Sequence, residues 1–120
     1  MEKYSNKLVE LSISFAVEIL NLVNKLKQNK EAIICKQLGR SGTSIGANIH
    51  EAQYAHGKSD FIAKLQIALK EANESLYWFK VLSGLCEGNE EIERLSNETN
   101  ELRNVLQSIL RSAKAKRTTT

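Results

Sequence analysis

Not one of the 120 residues is proline. Proline removes a helical hydrogen bond and clashes with the preceding turn, so a chain of this length without it can run long, unbroken helices. The six glycines are then the only strong punctuation. Between them, apolar side chains recur at three- and four-residue spacing, which is the period of one helix face.

Four such segments follow one another. The first runs from about Ser5 to Gln28, with Leu8, Leu11, Phe15, Ile19, Leu22 and Leu26 on one face. Beside that stripe lies a second, Val9, Ile13, Ala16, Leu20 and Val23. A surface helix needs a single apolar stripe about 100° wide, so two stripes predict burial on both sides, once in the bundle and once in an oligomer. Asn29-Lys30 suits a turn. The second segment spans about Glu31 to His56, with Ile34, Leu38, Ile45, Ile49 and Ala52 facing the core. Gly39, Gly42 and Gly46 gather on another face with Cys35. Each glycine costs a helix about 1 kcal/mol relative to alanine, so three of them imply either close approach of a neighbouring helix or a break near Ser41-Gly42-Thr43.

Gly57 is placed to cap that helix and Ser59 to open the next, with Asp60 in its first turn. The third segment, Ser59 to about Cys86, aligns Phe61, Leu65, Ala68, Ala72, Phe79 and Leu82. Gly88-Asn89 ends it and starts the fourth, where Glu90, Glu91 and Glu93 occupy the positive end. There Ile92, Leu95, Thr99, Leu102, Leu106, Ile109 and Ala113 form a coiled-coil-like seam. Short links force antiparallel neighbours. The predicted fold is an all-α, up-down-up-down four-helix bundle over residues 1–113, followed by a basic, disordered tail over 114–120.

Composition narrows the class. With 42% apolar and 26% charged residues the chain is too apolar for disorder, and no apolar run reaches the roughly 18 residues that span a bilayer. The start, Met1-Glu2-Lys3-Tyr4-Ser5, has no signal-peptide core. Cys35 and Cys86 lie far apart without metal-ligand spacing, which reads as two reduced buried thiols in a cytoplasmic protein. The net charge is +3, with a mildly basic first half and three cations in the last seven residues.

Tests for chemistry come back negative. No glutamate has a histidine three positions on, as bundle di-iron sites require, and His50 and His56 fall on different faces. No serine or cysteine has the setting of an activated nucleophile. The glycines from Gly39 to Gly46 lack the lysine and strand of a phosphate loop. No catalytic residue, metal, cofactor or small-molecule substrate is expected.

The unusual feature is a polar ridge on the second helix. Arg40, Ser44, Asn48 and Glu51 share one side, roughly opposite the core stripe, and Lys36 extends the ridge backwards. Lys64, Glu71 and Glu74 are candidate partners on the third helix. The ridge reads either as a solvated or hydrogen-bonded structural face or as a binding surface. In Tyr77-Trp78-Phe79, three successive residues sweep 200°, so at least one must leave the core; Trp78 suits core packing or packing between subunits, with stacking on a base as the alternative.

These residues carry a resemblance. The stretch Lys36–Ala52, centred on Ser44-Ile45-x-x-Asn48-Ile49-x-Glu51 and followed by Ser59–Trp78, resembles the four-helix-bundle proteins encoded in intervening sequences of bacterial 23S ribosomal RNA genes. Those proteins, sometimes labelled ribosomal, look related to the accessory variability determinants of diversity-generating retroelements. Where many members have glycine after the motif glutamate, this chain has Ala52, so its helix is expected to run further. The resemblance implies a ring-shaped homopentamer that associates with RNA or DNA through basic surface. Lys36, Arg40, Lys58, Lys64, Lys70, Lys114, Lys116 and Arg117 are the candidate contacts, with Ser44, Asn48 and Glu51 as the structural ridge. The competing reading is a protein-interaction scaffold with no nucleic-acid role.

Overall fold

The computed structural model describes residues 2–27 and 32–119, and the side chains of 7–27 and 32–115. Four helices follow in order: α1 (Glu2–Lys27), α2 (Ala32–Ala52), α3 (Lys58–Leu85) and α4 (Glu90–Thr119). They form an elongated bundle of 52 × 22 × 21 Å. The expected Asn29-Lys30 turn lies outside the described residues. Packing is close between α1 and α2, α2 and α3, and α3 and α4, whereas α1 and α4 touch at few points.

The predicted faces meet inside. Ile19, Leu38, Ile45, Ile49, Phe79, Leu82, Leu95 and Leu106 are fully buried. Two positions differ. Leu11 is 55% exposed, and Ser12 takes the inward place, its hydroxyl donating to the Val9 carbonyl at 2.8 Å. In α4, Leu110 is buried and Ile109 only packs at the edge of the core. A straight helix drifts about 20° per heptad against a strict seven-residue repeat, and by the sixth turn of α4 the inward position has moved on by one residue.

The glycines of α2 serve close approach. The helix is continuous through Ser41-Gly42-Thr43, so no break occurs there. A Cβ added at Gly42 would lie 3.0 Å from Ile19 Cγ2, and one at Gly46 would lie 3.2 Å from both the Ser12 Cβ and the Ser12 carbonyl oxygen. On the same face the Cys35 thiol donates to the Val23 carbonyl at 3.6 Å. Cys86, by contrast, is only half-buried.

Helix ends refine the expectations. α2 stops at Ala52 and does not run on to His56. The Gln53 side-chain amide donates to the Ile49 carbonyl at 3.1 Å, taking the acceptor that the Gln53 backbone N–H would use in an α-helix. That N–H turns to the His50 carbonyl instead, at 3.1 Å, tightening the last turn. Gly57 (φ 134°) caps the start of α3, so Ser59 sits inside the helix. A φ of this sign favours glycine, and its carbonyl accepts the Phe61 N–H at 3.0 Å. Asp60 reaches back to the His56 N–H at 3.0 Å. Asn89 caps α4 as its residue type predicts, accepting the Ile92 N–H at 3.1 Å.

The backbone of 114–119 continues α4. The apolar seam does stop at Ala113. Beyond it come Lys114, Ala115, Lys116 and Arg117, all good helix formers, and cations at a helix C-terminus oppose the partial negative charge there.

Candidate nucleic-acid interface

The polar ridge of α2 divides into two parts. Arg40 leans across to α3, where Nη1 donates to Glu71 Oε2 at 3.1 Å and Nη2 pairs with Glu74 Oε1. The hydrogen bond from Arg40 holds the Glu74 carboxyl below the usual carboxylate range. Glu71 is nearly buried, and the guanidinium compensates a carboxylate that would otherwise be costly to desolvate. One residue on, Ser41 and Ser75 share a fully buried hydrogen bond of 2.8 Å between their hydroxyls. This half of the ridge joins α2 to α3.

The other half stays within its own helix. Asn48 Nδ2 donates to the Ser44 carbonyl at 2.9 Å and the Ser44 hydroxyl at 3.2 Å, both residues being half-buried, while Glu51 is exposed. The Trp78 indole N–H is buried and lies near Glu74 without a hydrogen bond of ordinary geometry. Tyr77 is the aromatic that turns outward, 59% exposed, with its ring 5.0 Å from that of Trp78 and at 75° to it. Phe79 is fully buried.

The basic candidates do not form one patch. Arg40 is taken by carboxylates. Lys36 lies early in α2 and Lys58 opens α3; in an antiparallel pair these are opposite ends of the bundle. Lys64 is half-buried on α3. The side chains of Lys116 and Arg117 lie outside those described. Two candidates do converge: Lys70 of α3 and Lys114 of α4 line one open groove between these helices. Arg111 joins them, a residue the sequence reading passed over, and Gln66, Asn73 and Gln107 supply amides along the walls. Leu69 and Leu110 form the floor. The available signal was the spacing 107, 111, 114 on α4, which puts a glutamine and two cations on one flank.

Some cations elsewhere are matched by carboxylates: Lys25 with Glu91 at 3.0 Å, and Arg94 with Glu18 at 2.7 Å and with Glu98 at 2.9 Å. Among the described residues, Lys70, Arg111 and Lys114 enter no ion pair, and no carboxylate lines their groove. Such a groove focuses positive potential and attracts polyanions.

On the α1 side of the bundle, Ile13, Val17 and Leu20 are each more than half exposed. They recur at steps of four and three, so they share one face. Of the second stripe anticipated from the sequence only Ile13 and Leu20 lie on this face, joined by Val17; Val23 is buried, and Val9 and Ala16 are half-buried.

Fold and surface together describe a bundle with an apolar core crossed by a few buried hydroxyls and with its charged features on helix flanks. The model of the 23S rRNA-intervening sequence protein family matches residues 5–108, and the chain belongs to that family. No curated protein matches significantly. Among solved structures, the chain is similar to a protein of unknown function from the S23 ribosomal protein family of Bacteroides thetaiotaomicron VPI-5482. The two are 46% identical, with a TM-score of 0.82, over 86% of this chain and 97% of the other.

Proposed function

We propose that this protein is a non-enzymatic accessory protein that binds nucleic acid, in the first place RNA, as an oligomer and through backbone electrostatics. The observation that carries the reading is the groove between α3 and α4, where Lys70, Arg111 and Lys114 face one another's surroundings without a carboxylate. Assembly is supported by the apolar face of Ile13, Val17 and Leu20, and the family resemblance points to a homopentamer. Five copies of a chain with net charge +3 carry roughly +15, enough for salt-dependent phosphate binding.

The test is a titration of labelled structured RNA at 50 and 200 mM salt. Counterion release predicts an affinity that falls steeply between the two, with a log–log slope set by the number of phosphates neutralised. Absence of binding at low salt, or binding indifferent to salt, overturns the reading and leaves the protein-interaction scaffold.

A further inference from the structure

The groove of Lys70, Arg111 and Lys114 continues along the same two flanks. On α3, Gln66, Lys70, Asn73, Tyr77 and Lys80 follow one another in steps of four, three, four and three, which keeps them on one helix face. On α4, Arg103, Gln107, Arg111 and Lys114 do the same in steps of four, four and three. Neither row contains an acidic residue. The acidic residues of α3 nearest in sequence, Glu71 and Glu74, point the other way and hold Arg40. Lys80 and Arg103, like the three groove cations, enter no ion pair among the described residues. Arg103 Nη2 donates to the neighbouring Asn104 Oδ1 at 3.4 Å.

Set among these cations is Tyr77, an exposed aromatic whose ring is steadied edge-on by Trp78. From Gln66 to Lys80 is fourteen residues of helix, roughly 21 Å. Cations, amides and an aromatic face alternate over that length. Duplex recognition needs only the phosphates, whereas an exposed ring among cations has a use when bases are unpaired and can stack on it.

We infer that the α3–α4 face is a track for an unpaired nucleic-acid strand, with Tyr77 as the residue on which a base stacks. This rests on the nucleic-acid reading above and adds the substrate class and the stacking residue. α1 stands diagonally across the bundle from α3, and its apolar stripe faces solvent. Assembly through α1 therefore leaves the track open.

The experiment uses the full chain with 12-nucleotide oligoriboadenylate, the matching oligodeoxyadenylate, and a 12-base-pair RNA duplex. Binding is followed at several salt concentrations for the wild type, Tyr77→Ala, Tyr77→Phe and the pair Lys70→Gln/Arg111→Gln. Tyr77→Ala is expected to weaken single-strand binding by roughly five- to a hundredfold with an unchanged salt slope, Tyr77→Phe to restore it, and duplex binding to stay level. The double variant is expected to lower the slope by about 1.4, from two lost phosphate contacts on a single strand. Tyr77 is exposed, and circular dichroism checks that each variant is folded. Comparing the two oligonucleotides separates RNA from DNA as the strand held. Wild-type binding with no loss in Tyr77→Ala, or equal loss on strand and duplex, overturns the track and leaves the broader reading standing. No wild-type binding to any probe at low salt overturns both.

Discussion

Replacing Gly46 by alanine pits two effects of known sign against each other. Helix propensity favours alanine by about 1 kcal/mol in a helix interior. Against it stands α1, because the new methyl would lie 3.2 Å from the Ser12 Cβ, hydroxyl and carbonyl oxygen alike. A flexible side chain tip could swing aside, but a backbone carbonyl yields only if α1 shifts. Overpacking a tight contact of this kind costs about 1–3 kcal/mol. The net expectation is a destabilisation of between zero and about 2 kcal/mol. Gly84 is the internal control: it lies near the end of α3, and a Cβ there meets nothing within 4 Å. Gly84→Ala should gain a few tenths to about 1 kcal/mol from propensity alone. Thermal melts at one fixed protein concentration read both, since assembly would make Tm concentration-dependent. At about 4 °C per kcal/mol for a domain of this size, Gly84→Ala should melt higher than wild type and Gly46→Ala lower, by up to about 8 °C. Equal gains at the two positions would refute the close-approach account of the glycine face.

Other expectations concern the α2–α3 joint and assembly. Ser41→Ala or Ser75→Ala alone leaves one buried hydroxyl unpaired, at about 1–3 kcal/mol, while the double variant should cost less than the two single losses summed; additive urea midpoints would contradict this. Arg40→Gln removes the hydrogen bond that depresses the Glu74 pKa below its reference of 4.5. A depressed folded-state value contributes stability that is present above pH 4.5 and lost as pH falls through the folded value. The acid side of the stability profile, read from urea midpoints between pH 3 and 6, should therefore be shallower in the variant, and an unchanged slope would count against the coupling. Val17→Glu puts a charge on the exposed stripe of α1; light scattering should show smaller particles with helicity retained, and an unaltered mass would remove this face from the interface.

The fold was legible because it depends on local repetition. Core stripes, the glycine face and the Asn89 cap all follow from spacing and residue type, and packing completed them. What escaped depended on facts that spacing does not hold. The exchange of Leu11 for Ser12 reflects which flank of α1 reaches α2, where the glycines leave room for only a small side chain. The early stop at Ala52 follows from one glutamine side chain reaching its own helix terminus. The groove needs α3 and α4 laid antiparallel before Lys70 meets Arg111 and Lys114; read singly, each is an ordinary solvated cation. The aromatic run was expected to turn at least one member away from the core, but spacing did not say which; α3 directs Tyr77 to solvent and leaves Trp78 half-covered.

The thin contact between α1 and α4 has a consequence for how the molecule breathes. Three sides of the bundle are closed by interlocking side chains, and the fourth is bridged mainly by Lys25 with Glu91 and Arg94 with Glu18, while Leu11 and Val105 stay partly open to water. Exposed ion pairs weaken as salt screens them, and apolar packing does not. Raising ionic strength should thus unlatch this one seam before any other, as a local opening that swings α1 away from α4 with α2 and α3 still protected. Amide hydrogen exchange would register it as faster labelling along the outer turns of α1 and α4 at 1 M salt. The same salt that strips a polyanion from the α3–α4 face would then also loosen the neighbouring edge of the bundle.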